Sequence, residues 1–247
     1  MSGKRFFVNK IEGDRAEISG EDFDHAVIVL RHKQGDRITV FNYAHGEFSA
    51  EITAVNPKEK IISLTIKEKL RGREISTVKI GAIISIIKKD NMELALKKLT
   101  ELGVDEIIPV ITKRTVVKIK EEEKKSARWE KIIYEAVKQC GRVTKPVLKE
   151  PVALKELKVN KNAVKFLIWE KETERFLIDE AAGIQAGEVY FFTGPEGGFD
   201  GSEVEQLKKE GFITVSLGDT TLRAETAAIV SAGVMAQYYR RAGVGKF

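Results

Sequence analysis

From residue 73 onward, continuous apolar runs alternate with helical patterns, and that alternation leaves few folds open to the chain. "VKIGAIISII" is followed by the helical pattern "NMELALKKLTELG", then by "EIIPVI", a charged stretch and the helical "ARWEKIIYEAVKQCG". Three more apolar runs, "AVKFLIW", "EVYFFT" and "FITVSL", are separated by helical segments, and "AETAAIVSAGVMAQYYRR" closes the series. Strands that are apolar along their whole length are buried on both faces, which is the property of a parallel sheet covered by helices. The pattern predicts a mainly parallel α/β sheet over 73–247, with Gly103 ending the first helix.

The first 72 residues have a different rhythm. "KRFFV", "RAEIS", "DRITVFN", "FSAEITAV" and "KIISLTIKE" are short, partly alternating runs separated by polar or glycine-containing turns. One segment, "EDFDHAVIVLRHK", places Phe23, Ala26, Val27 and Leu30 at helical spacing. Many short strands with one helix predict a small β-barrel over 1–72. No internal repeat and no low-complexity segment interrupts either part, and "KIKEEEKKSARWEK" reads as a solvated helix face or loop.

Composition narrows the functional classes. Hydrophobic residues are 43% of the 247, so a sizeable core is available and global disorder is excluded. Lys plus Arg is 42 and Asp plus Glu is 37, a net +5, compatible with a polyanionic partner without demanding one. A single cysteine, Cys140, forbids an internal disulfide and favours the cytoplasm. With only His25, His32 and His45 beside it, no metal site is expected, and the apolar runs are too short to span a membrane.

The usual catalytic signatures are missing. No strand is followed by G-x-G-x-x-G, and no G-x-S-x-G elbow occurs. The terminal "GVGKF" imitates part of a P-loop but has no following helix, so it reads as a tail. Cys140 reads as a buried structural cysteine.

The chemistry concentrates where the last three strands end. In open parallel sheets, ligands bind outside the carboxyl ends of the strands. Here those ends run into "IWEKET", "FTGPEGG" and "LGDTTLRAET". "GPEGG" alone reads equally well as a tight turn into a helix capped by Asp200 or Ser202. Beside it, "LGDTTLRAETAA" places Arg223 and Glu225 at a helix start among small residues, and two such loops are harder to explain as bare turns. A glycine-rich loop built round the carboxylate of Glu196 would repel a triphosphate. It suits a neutral or cationic ligand with several hydrogen-bonding edges, such as an adenine, a ribose or a sulfonium-bearing nucleoside.

These motifs are where a family resemblance enters. "TGPEGGFDGSEVEQL" followed by "VSLGDTTLRAETAA" resembles the C-terminal signature of the RsmE-type 16S ribosomal RNA uridine-N3 methyltransferases of the SPOUT superfamily. "RFFV", "HAVIVLRHKQGD", "KKLTELGVDEIIPV" and "RWEKIIYEAVKQCGR" with Pro146 extend the likeness over nearly the whole chain in order. The resemblance implies an N-terminal PUA-like β-barrel that grips RNA and a SPOUT-type domain with a C-terminal deep trefoil knot. It implies S-adenosylmethionine held by Ile168, Trp169 and Glu170, by Thr193, Gly194, Pro195, Glu196, Gly197 and Gly198, and by Leu217, Gly218, Leu222, Arg223 and Thr226. It further implies a homodimer acting on 16S ribosomal RNA or the small ribosomal subunit.

Within that frame, Arg223 is expected to stabilise a uracil anion, and Glu196 to shape its loop or assist proton removal. Arg5, Arg31 and Arg142 are expected RNA contacts. The competing expectations are a SPOUT methyltransferase for another RNA position, as in transfer RNA, a non-catalytic RNA-binding module for ribosome assembly, and an unrelated nucleotide-binding α/β protein.

Overall fold

A computed structural model describes residues 5–72, 77–116, 122–182 and 187–239 of the chain. The tail "GVGKF" and the stretch just after residue 72 lie outside them. Two compact units emerge: Met1–Ile75 with Val137–Lys145, and Ser76–Ala136 with Pro146–Phe247.

The first unit holds β1 (Arg5–Phe7), β2 (Ile11–Glu12), β3 (Arg15–Ser19), α1 (Glu21–Asp24), β4 (Arg37–Asn42), β5 (Gly46–Asn56) and β6 (Ile61–Arg71). The strands pair in the order β1-β4-β5-β6-β3-β2. β1 runs parallel to β4 and the other pairs are antiparallel. β3 alternates strictly between exposed and buried residues, as a sheet with one wet face requires. Phe6 from β1, Ala16 and Ile18 from β3, Ile52 from β5 and Leu64 from β6 share one apolar cluster, and Ile11 of β2 packs against it. Six flat strands would spread over roughly 24 Å at about 4.8 Å per step. End strands that share a core with the central ones therefore require a sheet that curls, and register shifts along β5 and β6 supply the bends.

The expected helix is only half α. After α1 the chain widens into a π turn, His25–Val29, closed by the Leu30 amide on the His25 carbonyl at 3.0 Å. Phe23 and Ala26 face the core, whereas Ile28 and Val29 are exposed.

Arg5 corrects the expectation of an RNA contact. Its side chain is buried, with the guanidinium over the Phe41 ring and bonded to Glu47 at 3.1 Å. The remaining N–H groups reach the carbonyls of Val137 (2.9 Å), Lys138 (3.4 Å), Gly141 (3.0 Å) and Arg142 (2.7 Å). These carbonyls surround the end of α3 (Glu122–Cys140), where a helix has no partners of its own. Arg5 is thus a cap that ties a segment far away in sequence to this sheet, with no edge left for a phosphate. Arg5→Ala should lower stability by about 3 kcal/mol, since it removes a buried guanidinium that serves the buried Val137 carbonyl and the half-buried carbonyls of Lys138 and Arg142. Urea unfolding of the full chain measures it.

Cys140, expected buried, is half-buried, with its Sγ 3.8 Å from the Val137 carbonyl.

The second unit is the parallel sheet expected from its apolar runs. Its strands are β7 (Lys79–Ser85), β8 (Glu106–Ile111), β9 (Val147–Leu148), β10 (Val152–Ala153), β11 (Val164–Ile168), β12 (Glu188–Thr193) and β13 (Phe212–Val215). They pair β10-β8-β7-β12-β11-β13, every pair parallel, with β9 also on β8. Between and after them lie α2 (Lys89–Glu101), α4 (Leu177–Ala182), α5 (Gly201–Lys209) and α6 (Ala224–Tyr239). β7 and β12 are buried after their first residues, and Phe192 is wedged edge-on against Phe199 at 5.0 Å between centroids. Gly103, at φ +88°, ends α2 as expected. At the amino ends of the strands, Glu106 accepts from Tyr190 Oη at 2.6 Å and pairs with Lys79 at 3.0 Å. Burial pushes the Tyr190 hydroxyl up to about 12, with the Glu106 carboxylate adding to the shift.

Candidate active site

Strand register brings the site together. Thr193 lies beside Ile84 on one side and Ile168 on the other, and Ile168 lies beside Val215. The ends of β7, β12, β11 and β13 are therefore level, and the four segments leaving them surround one cleft of about 750 Å³. Small-molecule sites run from roughly 300 to 1,000 Å³.

The β11 exit contributes Ile168, Trp169 and Glu170, and the β12 exit contributes Thr193, Gly194, Pro195, Glu196, Gly197 and Gly198. The β13 exit contributes Leu217, Gly218, Leu222 and Arg223. All these expected residues line the cleft. Thr226 does not, although its neighbours Glu225 and Ala227 do. Arg31 is exposed on the first unit with φ +59°, and Arg142 is half-buried there, its Nη2 3.4 Å from Thr144 Oγ1.

The glycines of "GPEGG" present backbone to the cleft, and their missing side chains also make room for neighbouring protein atoms. A Cβ at Gly194 would stand 3.1 Å from the Phe199 ring, one at Gly197 3.3 Å from Arg114 Cβ, and one at Gly198 2.6 Å from Glu170 Oε1. Gly198 also needs φ +67°. The loop then enters α5 through a capping box: Asp200 accepts from the Ser202 amide at 3.1 Å, and Glu203 accepts from the Asp200 amide at 3.0 Å. Hydrogen bonds from Ser202 and the nearby Lys113 ammonium hold the Asp200 carboxyl down at about 2.

Glu196 is exposed, and its Oε1 takes the Lys88 amide at 2.9 Å. Lys88 is the N-cap of α2, so this carboxylate fastens the β12 loop to the start of a helix 108 residues earlier. Arg223 is exposed and, among the described residues, has no hydrogen-bond or ion-pair partner, Glu225 included. Glu225 is only 5% exposed, and its Oε2 is buried without a partner, as is the hydroxyl of Thr193.

Lys88 and Asn91 line the cleft without having been expected. The break from "ISII" to "KKDN" follows the same rule as the other three strand ends. Only the sheet order, which sets β7 beside β12, makes it part of this site.

Charge defines the occupant. Two cations, Lys88 and Arg223, face four carboxylates, Glu170, Glu196, Asp219 and Glu225. A wall negative on balance disfavours a polyphosphate and favours a ligand that carries positive charge. Among the described residues, no group of His, Cys, Asp and Glu could hold a metal ion, and no helix is long and apolar enough to cross a membrane.

Comparison with known proteins agrees with this geometry. A family model described as an RNA methyltransferase domain matches residues 74–236, and one described as an RNA methyltransferase PUA domain matches 18–65. The ribosomal RNA small subunit methyltransferase E of Rickettsia conorii is 30% identical over 94% of this chain and 94% of its own. A Legionella pneumophila methyltransferase solved with the bound cofactor SAM superposes with a TM-score of 0.84 at 33% identity, over 96% of this chain and 98% of its own. The Neisseria gonorrhoeae ribosomal RNA small subunit methyltransferase E, solved bound to S-adenosyl methionine, also gives 0.84, at 28% identity and the same coverage. A parallel sheet with its cleft at the strand ends, a curled sheet before it and full-length similarity to these proteins place the chain in the family of the ribosomal RNA small subunit methyltransferases E.

Proposed function

We propose that the chain transfers a methyl group from S-adenosylmethionine to N3 of a uridine in 16S ribosomal RNA, as a cytoplasmic homodimer acting on the RNA or the small subunit. The observation that carries this reading is the cleft at four strand ends, negative on balance and lined by an unpartnered arginine. S-adenosylmethionine fits such a wall, and when bound it supplies an electrophilic methyl group on a positively charged sulfur. The solved relatives with this cofactor support the assignment.

We read the β11, β12 and β13 exits as its holders, with backbone groups of 168–170, 193–198 and 217–218 meeting the nucleoside edges. A trefoil knot belongs to the same reading. The Val215 carbonyl accepts from the Trp169 amide at 3.0 Å, the Ser216 amide donates to the Arg175 carbonyl at 2.7 Å, and the Ser216 carbonyl accepts from the Leu177 amide at 3.0 Å. One strand end is thus held by both arms of the 169–177 loop, as a chain passing through that loop would be. Glu172 braces the loop, accepting from Thr214 Oγ1 at 2.6 Å and from the Glu174 amide at 3.1 Å.

Uracil N3 carries a proton and becomes nucleophilic on losing it, so the reaction builds negative charge on the base. Arg223, exposed and unpartnered, is the cation placed to orient the uracil oxygens and hold that charge. Glu196 keeps the wall in shape through Lys88. N3 lies on the pairing edge, so the target base must be unpaired or flipped out. Arg31 and Arg142 are assigned to RNA through the first unit.

Calorimetry tests the site. The chain should bind S-adenosylmethionine and not a nucleoside triphosphate, and the reverse order of affinity would reject the reading. Affinity for small-subunit RNA should fall steeply with salt, and a flat response would reject phosphate contacts by Arg31 and Arg142.

A further inference from the structure

Glu225 is the one carboxylate of the cleft wall that is buried. It is 5% exposed, its Oε2 has no hydrogen-bond partner, and no ion pair reaches it among the described residues. An uncompensated buried carboxylate is costly. Its position in the first turn of α6, which favours negative charge, offsets part of that cost. The remainder calls for a positive group arriving from the cleft. Two residues before it stands Arg223, which lines the same cleft, and on the assignment of Arg223 to the methyl-accepting base Glu225 belongs to the reacting end of the cavity.

Resting on the donor-site reading above, we propose that Glu225 makes the pocket select the cationic methyl donor over its neutral product. Before transfer the carboxylate faces a sulfonium. The S–CH3 bond breaks with its electron pair staying on sulfur, the N3–CH3 bond forms with the pair that had held the N3 proton, and that proton passes to solvent water. Afterwards Glu225 faces an uncharged thioether and is again a buried charge without a partner. The product is then held less tightly than the donor, and release is favoured by the same group that captured the donor. Glu170, Glu196 and Asp219 are exposed to water, which screens their pull on the sulfur. Glu225 is shielded, and its interaction is correspondingly stronger.

The test is titration calorimetry of the full chain and of Glu225→Gln with S-adenosylmethionine and with S-adenosylhomocysteine. Glutamine keeps the volume and removes only the charge. The wild-type chain should prefer the donor, and the variant should lose about tenfold of that preference, a difference of about 1.4 kcal/mol. Most of the loss should fall on the donor affinity. An unchanged ratio, with both ligands weakened alike or neither affected, would overturn the proposal. In the unmutated protein, an analogue with a protonated amine in place of the sulfonium should bind about tenfold tighter than the thioether. Equal affinities would reject the proposal even if the variant does not fold. A wild-type chain that binds neither nucleoside would bring down the donor-site reading itself. One that binds both without preference would bring down only the role of Glu225.

Discussion

Arg223→Ala is expected to slow methyl transfer by about 10²–10³-fold while leaving donor affinity within a few-fold. The guanidinium is exposed in the cleft without a protein partner, so its removal disturbs little of the fold. What is lost is an oriented cation where charge develops on the uracil, and removing one such group costs roughly 2.7–4 kcal/mol of barrier. Turnover on under-methylated small-subunit RNA, set beside calorimetry with the donor, separates the two quantities. Wild-type turnover would return Arg223 to the surface, and a collapse of donor affinity would make it a binding residue only.

Gly198→Ala should be the most damaging single-methyl change in the loop. The residue sits at φ +67°, where a Cβ strains the backbone by about 1–2 kcal/mol, and the added carbon would stand 2.6 Å from Glu170 Oε1. That carboxylate can swing away, but it lines the same cleft, so relief comes at the expense of the wall. Donor affinity should fall at least tenfold, with a lowered melting temperature. Gly197→Ala is the control: its backbone is not in the left-handed region, and its nearest obstacle, Arg114 Cβ, lies at 3.3 Å. Equal tolerance of the two changes would show that the loop adapts and that its conformation is not part of the site.

The parallel sheet was legible because "EIIPVI" and "EVYFFT" have no polar alternation, and only a strand covered on both faces tolerates that. The capping box at Asp200 was half legible: the cap could be named, whereas the answering bond from Glu203 needs coordinates. Three of the four cleft walls followed from strand ends that break into polar residues. The fourth, Lys88 and Asn91, was hidden because nothing local tells that β7 neighbours β12. Arg5 was misread for the same reason. An arginine near a terminus looks like a free cation until the carbonyls at the end of α3, more than 130 residues away, are seen around it. Glu225 was visible as a residue, but its lack of a partner is a property of packing and leaves no trace in the sequence.

The central claim is the transfer itself. Labelled S-adenosylmethionine, the full chain and small-subunit RNA or particles lacking the modification should give one methylated nucleotide, and digestion of that RNA should place the label on N3 of a uridine. Label on another base or another atom, or transfer confined to transfer RNA, would contradict the account, as would binding of both ligands with no transfer at all.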